Sequence, residues 1–402
     1  METPITLTDH PSVNRWRSET PGCGNRIHLN NAGAALMPNP VIEAIQTHLQ
    51  LEIEIGGYEA ADATRDKIND AYEAVARLIG ADRSNVAIVE NATVAASQAL
   101  SSFDFKRGDT ILTTNADYSS NQIMMLNLGR RFGVEVIRAE DLPKGGVDPE
   151  SIRLNIEKHR PVLVMMTWVP TNSGLVQNAK AAGEICRELD TPFLLDACQA
   201  VGQLPVDVKE LNCDFLAATS RKFLRGPRGL GFLYVSERML DQGRYPLFPD
   251  THGAEWTGAN TFDIKPGAQR FENWEYSYAL ILGLGAAAEY ANTTGVETAG
   301  RRAQELAAYT REKLMNKIES AKILDYGSKK CAIVTVAFDK ANTGDLVKRL
   351  RNERINTSAT TRGMALIDMD AKQTDTALRI SPHYYNTTEE IDTLIDLLND
   401  IA

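Results

Sequence analysis

The chain holds no run of about 18 apolar residues, so no membrane-crossing helix is expected. Its opening stretch, METPITLTDHPSVNRWRSET, lacks the apolar core of a secretory signal. Cysteine is sparse, with five residues at positions 23, 186, 198, 213 and 331, and neither a Cys-x-x-Cys pair nor a zinc-type spacing. An odd, scattered set predicts reduced thiols in a cytoplasmic protein, not a disulfide framework, and no metal site. Positive charge is in deficit: 43 Lys and Arg stand against 53 Asp and Glu, a net charge of −10. That balance excludes a broad nucleic-acid surface, which needs a basic face. It leaves room for a local basic pocket. Internal repeats and low-complexity linkers are also missing.

What is present is a long chain with a clear rhythm. Its 402 residues are more than one ordinary core needs, which predicts two domains. From about residue 85 to 245 short apolar strands alternate with helices. The strands are VAIVE, DTILTT, EVIRAE, PVLVMMTWV, PFLLDA, CDFLAAT and GLGFLYV. Such alternation means βαβ units and a mainly parallel sheet. Before it, TRDKINDAYEAVARLIG repeats Ile68, Ala71, Val75 and Leu78 at helical spacing and stops at Gly80. After about 265 come two long helices, then strands in CAIVTVAF and TALRISPH and a closing helix TEEIDTLIDLLNDIA. The expected division is an arm at 1–30 that joins the small domain, a large α/β domain at 31–265, and an interdomain helix with a small α+β domain at 266–402.

Ligands of open α/β sheets bind at the carboxyl ends of the strands. One strand end delivers Asn91, Ala92 and Thr93 at a helix start, which suits a phosphate. Others deliver Tyr118, Asn172, Asp196 with Gln199, and Thr219 with Arg221 and Lys222. Taken singly, Asp196 and Thr93 also suit helix caps, Tyr118 suits an interface, and Lys222 suits a solvated loop. Taken together, they meet the demands of pyridoxal 5′-phosphate. That cofactor needs a lysine for its Schiff base, a carboxylate for its pyridinium nitrogen, anion donors for its phosphate and an aromatic ring to stack on.

The segment LLDACQAVGQLPVDVKELNCDFLAATSRKFLRGPRGLGFLYV resembles the centre of the class V aminotransferases, fold type I pyridoxal-phosphate enzymes. The family includes cysteine desulfurases, selenocysteine lyases and isopenicillin N epimerase-like proteins. NNAGAALMP, ENATVAASQAL and LRISPHYYNTTEEIDTLIDLL are similar to its other signatures, so the likeness spans nearly the whole chain. The resemblance implies that Lys222 forms the internal aldimine, Asp196 pairs with the pyridine nitrogen and Gln199 contacts the phenolic oxygen. It implies that Ala92, Thr93, Thr219 and Arg221 hold the phosphate and that Tyr118 stacks on the ring. Asn172 is expected beside the ring oxygen and the substrate carboxylate, and Arg379 on that carboxylate. The family's architecture also implies a homodimer with shared active sites, and makes His252, Trp256 and Trp274 candidates for shaping the substrate pocket, with interface packing the competing reading.

The sequence departs from the family pattern in three places. Desulfurases carry a nucleophilic cysteine shortly before the carboxylate arginine, but NTSATTRGMALIDMDAKQTDTALRIS holds none. Tyr118 stands where desulfurases have a histidine, and a tyrosine is a poorer proton shuttle at neutral pH than a histidine, since a free phenol titrates at about 10. Arg221 replaces the histidine before the lysine. In the segment that replaces the cysteine loop, Arg362 is a candidate for reading an anionic substrate tail. The expected activity is a lyase that removes the Cα proton of a cysteine-derived amino acid and eliminates a sulfur leaving group. Transamination or epimerisation of an amino acid is the alternative, and a non-catalytic scaffold the alternative of another class.

Overall fold

A computed structural model describes residues 10–339 and 341–401. The first nine residues of the expected arm lie outside them. Seven strands form the central sheet, in the order Val86–Val89, Gly231–Val235, Phe215–Thr219, Phe193–Asp196, Leu163–Thr167, Thr110–Thr113 and Glu135–Arg138. Gly231–Val235 runs antiparallel to both neighbours, and the other pairings are parallel. The strands read as continuous apolar runs because helices cover both faces: nearly every residue from 163 to 167, 193 to 196 and 215 to 219 is buried. The fold type I architecture read from the sequence is the one observed.

A second sheet, of four antiparallel strands, lies in the order Ala321–Ile323, Val334–Phe338, Thr376–Ile380 and Ser358–Thr361. Helix Thr388–Ile401 packs Leu394, Ile395 and Leu398 inward beside it. The arm runs into this region. Ile27 and His28 pair with Ile355 and Asn356, and Trp16 is buried against Tyr384.

Three elements were not legible in the sequence. Ser358–Thr361 and the helix Leu366–Ala371 occupy the segment read as an irregular loop. The strand is polar and short, and its pairing with 376–379 supplies what its composition does not. The hairpin Ala254–Gly258 with Thr261–Ile264 is solvent-facing, so no buried alternation marks it.

Candidate active site

The parallel strands all end on one edge of the sheet, and a cavity of about 530 Å3 opens there. Its floor comes from neighbouring strands: Thr167 is in register with Asp196, and Asp196 with Ala217. Asp196 is buried and accepts from Asn121 Nδ2 at 3.0 Å and from the backbone N–H of Cys198 at 3.0 Å. Both bonds fix the direction of its side chain. Lys222 lines the same cavity and is 8% exposed. Burial lowers its pKa, opposed by Cys198 and Asp196 and reinforced by Arg221 and Arg379. A lysine so placed loses its proton more readily than one in water, which suits a nucleophile or a base.

The chain after Lys222 is held in a tight turn. Arg225 N–H donates to Lys222 O at 2.9 Å, and Gly226 N–H to Ser220 O at 2.8 Å. Arg225 itself adopts φ 63° and is 1% exposed. Its guanidinium donates to Leu36 O, Tyr384 OH and Thr20 Oγ1 at 2.9, 2.7 and 2.6 Å, and lies 4.6 Å from the Tyr385 ring centre. So one of the arginines that look like loop charges in the sequence is a buried anchor for the lysine turn. No local signal distinguished it from Arg221 or Arg228.

The other cavity walls follow the strand ends. Ala92 and Thr93 open the helix Ala92–Ser101, with Asn91 capping it by accepting from Val94 N–H at 3.0 Å. Tyr118, Gln199, Thr219 and Arg221 line the cavity as well. Burial lowers the Arg221 pKa, and Arg228 adds to the effect. The segment NNAGAALMP reaches over the site. Gly33 O accepts from Arg221, Ala35 N–H donates to Arg221 O at 2.8 Å, and Ala32 O accepts from Gln199 Nε2 at 3.1 Å. That donation leaves Gln199 Oε1 buried with no partner, an acceptor open to a bound group.

Four of the residues singled out in the sequence take other positions. Asn172 is buried outside the cavity lining, and its amide donates to Asp368 Oδ2 at 2.6 Å, because the helix Leu366–Ala371 packs a carboxylate against it. Arg379 also lies behind the wall. It donates to Thr171 O at 2.8 Å and Thr171 Oγ1 at 3.2 Å, and Thr171 is the residue that faces the cavity. Its Nε is buried without a partner, and burial followed by the charge of Arg221 lowers its pKa to about 10. His252 lines a separate cavity of about 590 Å3, where the buried carboxylate of Glu272 holds its Nε2 at 3.0 Å. Arg362 is half exposed and turned onto Asp370, with NH2 at 2.7 Å from Oδ2. Within one chain, His252 and Arg362 therefore do not reach Lys222.

Two further residues escaped the sequence reading. Asn121 orients Asp196. Asp117 is buried beneath Tyr118 and accepts from the hydroxyls of Thr113 and Thr167, while Thr167 Oγ1 accepts the N–H of Tyr118 at 3.0 Å. Burial pushes the Asp117 carboxyl up to about 6, against those two hydroxyl bonds.

A larger open groove, about 1150 Å3, runs between the outer helices Asn39–Ile55, Arg65–Ile79 and Tyr278–Thr294. It lies away from the strand ends, and its size alone marks no chemistry.

The family model for class-V aminotransferases matches residues 27–394. The chain belongs to that family. Over 397 residues it is 27% identical to a probable cysteine desulfurase of Methanothermobacter thermautotrophicus, covering 96% of this chain and 97% of the relative. It is 26% identical to a probable hercynylcysteine sulfoxide lyase of Mycobacterium tuberculosis, covering 96% and 92%. Among solved structures it is similar to the cystine C–S lyase C-DES. The complex of that enzyme with its product cysteine persulfide aligns at 22% identity and TM-score 0.84, covering 95% of this chain and 100% of that one. A C-DES mutant with glycine covalently linked to its pyridoxal-phosphate cofactor aligns at 22% identity and TM-score 0.85, covering 96% and 99%.

Proposed function

We propose that this chain is a pyridoxal-phosphate-dependent C–S lyase that acts on a cysteine-derived amino acid. One observation carries the reading: a buried lysine and a buried, oriented carboxylate share one cavity with a helix start and an arginine. Lys222, Asp196, Ala92, Thr93 and Arg221 are the residue types this cofactor requires, and the orphaned Gln199 Oε1 leaves a polar position for a bound group. When bound, the cofactor supplies an electron sink for the charge left by removal of the Cα proton.

The remaining work falls to the protein. Lys222 Nζ is the group that would hold the cofactor at its aldehyde and the base that would accept the Cα proton. Asp196, held by Asn121 and the Cys198 N–H, would be the carboxylate partner of the pyridine nitrogen and would favour its protonated form. Thr93, Thr219 and Arg221 would hold the phosphate, and Tyr118 would pack on the ring. Thr171, on the cavity wall, would meet the substrate carboxylate, and Arg379 behind it, bonded to Thr171 O and Oγ1, would supply the attracting positive charge.

The cysteines support elimination without a persulfide step. The described cysteines are all free; Cys331 is fully buried, and burial raises its thiol to about 12. Thiols with raised pKa values are poor nucleophiles at neutral pH. Their free state also supports a reducing, cytoplasmic setting. The exposed Phe248, Trp256, Phe262 and Trp274 support a homodimer in which His252 and Trp274 act at the partner's site.

The test is spectroscopic and chemical. Purified protein should take up pyridoxal phosphate with the visible band of a lysine-bound pyridoxal, and Lys222→Ala should lose it. Cysteine, cystine and cysteine conjugates should yield pyruvate and ammonia with no oxo-acid present. Strict dependence on an oxo-acid would make the enzyme a transaminase, and racemised substrate an epimerase. Absence of the visible band would overturn every catalytic reading.

A further inference from the structure

We propose that Arg228 is a second phosphate-binding arginine of this site, acting with Arg221 on the cofactor's 5′-phosphate. The inference rests on the cofactor reading above. The turn at residues 227–231 presses against the start of the helix Ala92–Ser101 because Gly231 has no side chain. A Cβ there would lie 3.1 Å from the Cα and carbonyl carbon of Asn91. Arg228 sits on that turn and lines the cavity together with Asn91, Thr93, Thr219 and Arg221.

Arg228 makes no hydrogen bond or ion pair with another described residue. Arg221 is held by Gly33 O, a neutral acceptor. Glu90 also lines this end, but it accepts from Asn273 Nδ2 at 3.5 Å and pairs with neither arginine among the described residues. Arg221, half-buried, and Arg228, exposed, thus both line the cavity, and neither pairs with a carboxylate among the described residues. Their mutual repulsion contributes to lowering the Arg221 pKa.

The charge balance points to a dianion. A phosphate monoester carries roughly −1.5 to −2 near pH 7. The helix start offers about +0.5 and Arg221 one full charge. Arg228 supplies the remainder, and the antiparallel direction of Gly231–Val235 brings its preceding turn to the cavity edge. A substrate carboxylate is a monoanion, which one positive charge balances.

The experiment uses full-length protein stripped of cofactor and reloaded. In Arg228→Gln the Kd for pyridoxal phosphate should rise about tenfold, the loss of one charge-assisted contact. The Kd for pyridoxal, which has no phosphate, should stay within about twofold of the parent. Arg228→Lys should recover most of the phosphate preference. Inorganic phosphate should raise the melting temperature of cofactor-free parent more than that of Arg228→Gln. Equal weakening of both ligands, or of neither, overturns the proposal. So does an unchanged pyridoxal-phosphate Kd with a raised KM for anionic amino acids, which would assign Arg228 to substrate. If the parent takes up no pyridoxal phosphate, the cofactor reading fails by itself. The inorganic-phosphate arm then still decides Arg228: loss of the stabilisation supports it and retention overturns it.

Discussion

Gly202→Ala tests whether the backbone behind Lys222 is as closely packed as the geometry states. Gly202 adopts φ +92°, and a Cβ there would lie 2.3 Å from the carbonyl carbon and oxygen of Phe223 and 2.4 Å from Leu224 N. Ordinary contact begins near 3.4 Å, so the strand of chain that follows the lysine must retreat by about 1 Å. Phe223 is 1% exposed, and His383 Nε2 lies 3.0 Å from its carbonyl oxygen, so the chain has nowhere to go. The left-handed backbone costs about 1–2 kcal/mol for a residue with a Cβ. Overpacking adds about 1–3 kcal/mol. The sum, about 2–5 kcal/mol, should lower the urea midpoint of the cofactor-free protein clearly. Because the displaced atoms adjoin Lys222, uptake of pyridoxal phosphate followed by its visible band should weaken as well. Gly243→Ala is the control: its φ of +70° is similar, yet no atom stands within 4 Å of the new Cβ. It should show the backbone cost alone and leave cofactor uptake unchanged. A Gly202→Ala protein with the parent's midpoint and uptake would refute the packing argument.

The other predictions concern charge. Asp117 has its folded pKa raised to about 6, so its contribution to stability is complete below the ordinary carboxylate range and is lost as the pH rises through about 6. Asp117→Asn should therefore make the cofactor-free protein more stable than the parent at pH 7–8, by at most about 3 kcal/mol less the altered Thr113 and Thr167 bonds, with the gain vanishing near pH 4 in denaturant melts. Asp214 is 2% exposed and accepts from Arg238 at 3.0 and 2.6 Å as well as from Phe193 N–H at 3.0 Å. Asp214→Ala leaves the Phe193 N–H without its acceptor while Arg238 keeps its pair with Asp190, and should cost about 1–3 kcal/mol in the same assay. Pretreatment with iodoacetamide at neutral pH should leave pyruvate release intact, whereas a persulfide-forming enzyme would lose sulfide transfer. Asn121→Ala should shift the absorbance of the bound cofactor and lower kcat more than it raises KM, since it removes a bond to Asp196.

Most of the fold was legible because it is built from strands buried on both faces. Such strands must be apolar throughout, and their breaks at Gly, Asp and Thr are equally plain. Lys222, Asp196, Gln199, Thr93 and Tyr118 could be named because the carboxyl ends of parallel strands converge, which follows from topology alone. The hairpin at 254–264 and the strand Ser358–Thr361 were silent because neither has a buried face to impose a pattern on its residues.

What the sequence by itself determined is the architecture, the family, and the set of polar residues at the strand ends. The hydrophobic period and the strand–helix alternation suffice for the architecture and the strand ends, since both are properties of neighbours in the chain, and the family follows from the resemblance of its motifs. Tertiary structure alone decided which arginine anchors, which lines the cavity and which stands behind its wall. Arg225, Arg221, Arg228 and Arg379 have the same side chain, and their roles differ through partners up to 349 residues away, as with Arg379 and Asn30. It also decided that Asn172 faces Asp368 and that His252 sits with Glu272, contacts made across sequence separations no local pattern encodes. A charged group's role depends on its burial and on which charges face it, and both arise only when distant segments pack together.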